Sequence, residues 1–221
     1  MPPRLADLIA EVAAALRRSA PTFRYPTSIG RAYEAYCFSI VFRALQEVGF
    51  VATPQQLRGG VFVFPLGPRS LASPGSSYFR FERPGPAPTQ LELHSNTYST
   101  GISGHEHELD VAVIDVSDAN QCRSNGSDLP KGGVWMAIEC KCYDSNLGTG
   151  IGRSFLGLAK EMGGSGQKFV LMTSYPWPRR VVFDIVRRHG HRYYKASPRL
   201  PAITEETRHA LRADLAHLVG R

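Results

Sequence analysis

The chain has 221 residues, 43% of them hydrophobic, and its 26 Lys and Arg against 19 Asp and Glu give a net charge of +7. That length suits one compact domain spanning 1–221, and the apolar share supports a sizeable core and argues against general disorder. No apolar run approaches the roughly 18–20 residues that a membrane span needs. The N-terminus is amphipathic and interrupted by Asp7 and Glu11, unlike the unbroken apolar centre of a signal peptide. A cytoplasmic protein with no membrane partner is expected, and its four cysteines would be reduced.

In chain order, residues 4–18 carry Leu5, Leu8, Ile9, Val12 and Leu16 at helical spacing. Residues 28–48 predict a second helix, stopped by Gly49, with Tyr33, Cys37, Ile40, Val41, Ala44 and Val48 on its apolar face. Short segments at 61–66, 77–82 and 91–99, set between Pro/Gly-rich turns, read as strands. The phrase ELDVAVID at 108–115 alternates like a strand, and a long polar connection over 117–133 follows. Long connections in compact domains are often functional. A further strand is expected at 134–143, then a glycine-rich GTGIG lead into a helix at 153–162, and a strand at 168–175. The rest predicts a helix at 179–190, a short strand in HRYYKA and a final helix from Glu205 to Val219. Strands alternating with helices imply a layered α/β domain with a mixed sheet. The basic excess is C-terminal: residues 151–221 hold 13 Lys and Arg against 5 Asp and Glu. This asymmetry suits a polyanionic partner. Arg179, Arg180, Arg187 and Arg188, spaced along one helix, are candidates to hold backbone phosphates, with a solvated helix face as the alternative. Trp177, Tyr193 and Tyr194 can stack bases but more often serve in cores and turns.

The chemistry concentrates in two strands. Alternation puts Trp135, Ala137, Glu139, Lys141 and Tyr143 on one face of 134–143, with Val134, Met136, Ile138, Cys140 and Cys142 on the other. The second set is apolar, so the C-x-C pair is read as small core-facing residues rather than ligands. Glu139 and Lys141 instead project side by side from a strand built for burial, and charged groups are almost never fully buried without partners. In the neighbouring strand Glu108 and Asp110 share a face, while Leu109, Val111 and Val113 take the opposite one. If the strands pair, Asp110 meets Glu139 and Lys141. Two carboxylates brought together raise each other's pKa, and a divalent cation relieves the repulsion. Mg²⁺ (or Mn²⁺) suits one or two carboxylates plus water. Lys141 would then sit beside the water and the scissile phosphate, to orient or deprotonate the one or to stabilise charge on the other. Asp110, Glu139 and Lys141 are therefore the candidate catalytic residues.

Asp110 followed by Glu139-Cys140-Lys141, within HELDVAVID and AIECKCY, resembles the PD-(D/E)XK, or restriction-endonuclease-like, nuclease superfamily. The resemblance covers about residues 28–175, and it departs from the motif in one place, where Leu109 rather than proline precedes Asp110. It implies a three-layer αβα restriction-endonuclease-like core with a central mixed sheet, flanked by the N-terminal helix 4–18 and a basic helical part at 179–221. It also implies a Mg²⁺-dependent endonuclease acting on DNA, in restriction, defence or repair. Asp110, Glu139 and the backbone carbonyl of Cys140 would bind the metal, joined by Glu34 from the first core helix. For Glu34 the alternative is a salt bridge to Arg31 or Arg43. Arg153, Ser154 and Lys160, on the helix after the E-x-K strand, are candidates to contact nucleic acid. Double-stranded DNA is the implied partner, and two cuts across a duplex would call for a homodimer.

Other signals are weaker. His105, His107 and Glu108 are metal-capable, but no matching His or Cys pair lies at zinc spacing; Glu108 is kept as an outer-sphere or alternative ligand. GTGIGRSF lacks the lysine of a P-loop. Two rivals to the enzyme stand: a nucleic-acid-binding module that keeps the fold without turnover, and a structural subunit in which Lys141 merely neutralises the acidic pair.

Overall fold

The structure is a computed structural model that describes residues 3–73, 75–85, 89–143, 147–163, 166–174 and 180–220, without the side chains of Arg180 and Val181. In chain order it contains α1 (Leu5–Leu16), β1 (Phe23–Arg24), α2 (Ile29–Glu47), β2 (Val51–Gln55), β3 (Phe62–Val63), β4 (Tyr78–Arg83), β5 (Thr89–Thr100) and β6 (Glu106–Asp115). There follow α3 (Val116–Asn125), β7 (Val134–Lys141), α4 (Thr149–Met162), β8 (Lys168–Thr173), α5 (Arg180–Arg188), β9 (Arg192–Lys195) and α6 (Pro201–Val219). Seven strands form one sheet in the order β2-β4-β5-β6-β7-β8-β9. The pairs from β2 to β7 are antiparallel, and β7–β8 and β8–β9 are parallel. A parallel pair needs a crossover between its strands, which α4 and α5 supply. No helix among the described residues is long and apolar enough to cross a membrane.

The two faces of the sheet carry separate cores. On one, Leu91, Leu93, Val111, Val113, Met136 and Ile138 pack with α1, α2 and α6. On the other, Ala112, Ile114, Ala137 and Leu171 pack with α3, α4 and α5. The result is a three-layer α/β arrangement. The first core is built around α2, 12 of whose 19 residues are buried. Its start is capped by Ser28, whose hydroxyl accepts from Arg31 N. At its end Gly49, with φ of 93°, closes a Schellman motif: Gly49 N donates to Gln46 O and Phe50 N to Leu45 O. Phe38, Phe42, Phe62, Phe79 and Phe81 form a ring cluster beneath α2, with Phe62 and Phe79 stacked at 4.7 Å.

Several expectations need correction. The polar connection over 117–133 contains a helix, α3. Asp115 caps it by accepting from Ser117 N at 2.8 Å, and Gly126 ends it in the left-handed region at φ of 63°; a strong cap and a terminating glycine outweigh weak amphipathicity. Of the glycines of GTGIG, Gly148 is the N-cap of α4, and Gly150 and Gly152 lie within the helix, which begins at Thr149. The final helix begins at Pro201, four residues before Glu205, since proline is well placed in a first turn. Strands β1 and β2 were not expected; β2 is a sheet edge, where Pro54 is tolerated. The faces of Val134 and Trp135 are exchanged. Val113 pairs with Met136 and Ile114 with Val134, so Trp135 is a bulged residue that packs with the first core while Val134 joins the second. Alternation resumes beyond the bulge, and Ala137, Glu139 and Lys141 share a face as expected.

Phe79 is fully buried at the centre of the ring cluster. Replacing it with alanine should destabilise the fold by about 3–5 kcal/mol, lowering the denaturant midpoint with an unchanged m-value, whereas Phe79→Leu should cost less than half as much.

Candidate functional site

Strands β6 and β7 pair as far as Val111 with Ile138 and then part. The next step would set Asp110 opposite Glu139. Instead the Asp110 Oδ2 accepts a 2.7 Å hydrogen bond from Cys140 N. A side chain thus replaces a ladder bond and satisfies a donor that the divergence would orphan. In an extended strand the N–H and C=O of one residue point to the same edge, so the Cys140 carbonyl is directed into the same gap. The end of β7 is pinned from its other side: Ser174 N donates to Lys141 O, and Ser174 Oγ bonds both the N–H and the carbonyl of Tyr143.

Three carboxylates gather here. Asp110 is only 6% exposed, and its carboxyl is pushed up to about 8, first by burial and then by Glu139 and Glu34. Glu34 is raised as well, chiefly by burial, against the pull of Arg31. Glu139 is ion-paired with Lys141 Nζ. Burial alone would lower the Lys141 pKa, but Glu139 and Asp110 outweigh it and raise it, so the ammonium stays charged.

A second cation organises the outer side of the site. Arg31 Nη1 bonds Glu34 Oε2 at 2.9 Å and Glu108 Oε1 at 2.7 Å, and also reaches Asn96 Oδ1. It ties α2 to β5 and β6. The alternative foreseen for Glu34, a salt bridge to Arg31, is therefore formed, while Glu34 still lies close enough to Asp110 to act on its proton. Asn96 was missed by sequence reasoning. It stands at the β5 step opposite Asp110, between the pairs Ser95–Val111 and Thr97–Leu109, with φ of 52°. Asparagine tolerates that left-handed backbone better than other side chains, and an Asn inside a run of β-formers was the available signal. The regular pleat is lost at this step, and Leu109 packs with the second core while Val111 and Val113 pack with the first. The expected common face for those three residues is thereby corrected.

Cys140 is buried in the first core and Cys142 packs against it. Burial, followed by the contact with Cys37, raises the Cys140 thiol, which disfavours a thiolate ligand and fits the core-facing reading. Among the described residues no group of three His, Cys, Asp or Glu side chains is arranged to hold a metal ion, and His107 lies instead 3.9 Å from Glu161. That absence covers every metal type, and it includes the Asp110, Glu139 and Glu34 carboxylates as well as the histidines. The donor set that remains is two carboxylates, Asp110 and Glu139, with a strand carbonyl between them and Glu34 nearby. Mg²⁺ and Mn²⁺ keep much of their water and can be held by fewer protein side chains than such a group.

The basic candidates are dispersed. Arg153 is exposed in the second turn of α4. Lys160 is in the last turn, about 16 Å farther along the axis than Thr149. The adjoining Glu161 and Met162 carbonyls bond Ile102 N and Gly132 N, which places this end of α4 away from the carboxyl end of β7. Arg187 and Arg188 are exposed at the C-terminal end of α5, with Arg187 over the Phe183 ring. The Arg180 side chain, and Trp177 and Arg179 altogether, fall outside the described residues. Three other C-terminal arginines are committed internally: Arg192 to Asp214, Arg199 to Asp7, and Arg208 to Glu47 and Glu205. Tyr193 and Tyr194 are partly or wholly buried and hydrogen-bonded to Thr173 and Asp214.

No protein-family model, no curated protein sequence and no solved structure matches the chain.

The raised Asp110 pKa predicts a pH-dependent stability in metal-free protein. An aspartate unfolds to an ordinary pKa near ~4, so the folded state binds the proton more tightly, and stability falls as pH rises from that value to about 8. Asp110→Asn keeps an acceptor for Cys140 N and has no charge to bury. Its Tm should match wild type near pH 4 and exceed it increasingly toward pH 8. A constant difference in Tm across that range, read by circular dichroism in EDTA, would contradict the assignment.

Proposed function

We propose that the chain is a metal-dependent nuclease of the PD-(D/E)XK kind that hydrolyses phosphodiester bonds in nucleic acid, DNA in the first instance. The observation that carries this reading is Asp110: a carboxylate buried in the gap between two parting strands, its pKa raised first by that burial and then by Glu139 and Glu34. Gathering carboxylates at a buried point costs stability through desolvation and mutual repulsion. It becomes favourable when a divalent cation is shared. Further support comes from the three-layer α/β arrangement with a mixed sheet, in which α4 joins β7 to the parallel strand β8, as the sequence resemblance implies.

In this reading Asp110, Glu139 and the Cys140 carbonyl hold Mg²⁺ or Mn²⁺, with Glu34 completing the set directly or through water. When bound, the ion lowers the pKa of a water and polarises a phosphoryl oxygen. The chain's own contribution is positional and electrostatic. Asp110 is fixed by Cys140 N, so its free oxygen keeps one direction. Lys141 stays protonated and therefore acts as a donor that orients the attacking water and stabilises phosphate charge, rather than as the base. Arg31 holds Glu34 and Glu108 in place and limits the negative charge that the site must bear.

The Glu139–Lys141 pair also favours a second reading, in which lysine permanently neutralises the acidic pair and no metal enters. The two readings part on one assay. Wild-type protein should nick plasmid DNA with Mg²⁺ or Mn²⁺ and not with EDTA, and Asp110→Ala and Lys141→Ala should each slow cutting by about 10²-fold or more. Equal cutting, or equal inertness, in all three proteins with metal would reject the catalytic assignment.

A further inference from the structure

A guanidinium presents its N–H donors in a rigid plane, and the side chain of Arg31 commits those of only one nitrogen to the protein. Glu34 Oε2, Glu108 Oε1 and Asn96 Oδ1 all converge on Nη1, a nitrogen with two protons to give. Nε and Nη2 make no hydrogen bond among the described residues. Neither is buried without a partner, so both meet solvent. These two atoms form one edge of the plane, with parallel N–H bonds that fit two oxygens of a carboxylate or a phosphate.

Elsewhere in the chain that edge is taken. Arg4, Arg192 and Arg208 each turn Nε and Nη2 together to a single carboxylate, that of Asp7, Asp214 and Glu205 respectively. Arg31 has two carboxylates within reach, and neither occupies the fork. Its anchoring through Nη1 also fixes the plane, so the open edge is held in place before any ligand arrives, which lowers the ordering cost of binding.

The position suits an incoming strand. Asp110 is buried at the centre of the cluster, while the side chains of Arg31, Lys141 and Glu108 are 25%, 29% and 34% exposed at its rim. Arg31 is bonded to residues of β5 and β6, and Lys141 stands on β7. The two cations therefore flank Asp110 in the strand order β5-β6-β7. Four carboxylates, Asp110, Glu139, Glu34 and Glu108, outnumber these two cations, so a phosphodiester must be met by donors that the cluster has not already used. Lys141 serves the scissile phosphate in the proposed mechanism, and Arg31 is the other cation with N–H groups uncommitted. We propose that the Nε–Nη2 edge of Arg31 binds a backbone phosphate of the nucleic acid beside the one at Asp110, making Arg31 a substrate-binding residue as well as a strut for Glu34 and Glu108. The identity of the ligand rests on the nuclease reading; the open fork does not.

Arg31→Lys is the discriminating substitution. Lysine keeps a positive charge for Glu34 and Glu108 but has no fork, so Tm should stay close to wild type, whereas Arg31→Ala should lower it. In EDTA, Arg31→Lys should bind a fluorescein-labelled DNA duplex about tenfold more weakly than wild type, read by anisotropy. In Mg²⁺ it should raise KM by a similar factor and leave kcat within about twofold. Arg31 acting only through Glu34 predicts the reverse, a lower kcat with duplex binding in EDTA unchanged. That result overturns the proposal while the nuclease reading stands. If wild type binds duplex without ever cutting it and Arg31→Lys binds more weakly, the phosphate contact stands and the nuclease reading falls. A wild type that neither binds nor cuts overturns both. A measurement on unaltered protein guards against a folding defect in the variants. Duplex should slow the modification of Arg31 by phenylglyoxal, mapped by peptide mass spectrometry, and leave Arg192, whose fork is closed by Asp214, unaffected. Equal rates at Arg31 with and without duplex overturn the contact.

Discussion

The hydrogen bond from Cys140 N to the Asp110 carboxylate sets the geometry of everything around it. A sheet with two hydrophobic faces is stable as long as its ladder continues. Where β6 and β7 part after Val111 and Ile138, a backbone donor would be stranded in a dry region, at a cost of about 1–3 kcal/mol. Asp110 removes that cost by supplying the acceptor, and it also keeps the strands apart, because its side chain occupies the space where a ladder bond would lie. The structure pays with an ionisable group buried beside Glu139 and Glu34, whose proton is then held far more tightly than in water. Two requirements, satisfying a strand edge and concentrating negative charge, are met by the same residue.

Charge around Asp110 is balanced in a graded way. Lys141 answers Glu139 from the same strand, two residues away on the same face. Arg31 answers Glu34 and Glu108 from α2. Asp110 has no cation of its own within hydrogen-bonding distance among the described residues, only the neutral N–H of Cys140. The least compensated carboxylate is therefore also the most buried one, which concentrates the demand for a positive ion at one point. A merely structural cluster would place the cations the other way round, with the deepest acid most fully paired, as Glu92 is by Arg123, Arg80 and His94. The same protein thus contains both solutions on one strand pair, and the contrast between Glu92, held near 2, and Asp110 supports a functional use for the second.

Much of this was legible in the sequence, and for definite reasons. Strands β6 and β7 alternate strongly, so Glu139 and Lys141 fall on one face by period alone, and α2 is long and apolar enough to be recognised as a core helix. The rest depended on features that periodicity does not encode. The bulge at Trp135 exchanges two faces without changing composition. Helix α3 is weakly amphipathic and is specified by its caps, Asp115 and Gly126, more than by its interior. Asn96 looks like an ordinary polar residue in a strand until its backbone is seen in the left-handed region.

Net charge does not separate arginines held by carboxylates from those that face solvent. The excess of basic residues after position 150 pointed to a C-terminal polyanion surface, yet Arg192, Arg199 and Arg208 are spent on Asp214, Asp7, Glu47 and Glu205. Those pairs hold α6 to β9 and to α2, and the segment before α6 to α1, so they contribute to the packing of the first layer. A count of charges weighs every arginine equally, whereas those already held by a carboxylate contribute less to an external field. Asn96 stands opposite Asp110 in β5, at the step where the regular pleat is lost, and its side chain is bonded to Arg31, which also holds Glu34 and Glu108. A single irregular step in one strand thereby ties the outer cation of the cluster to the strand that faces its most buried carboxylate.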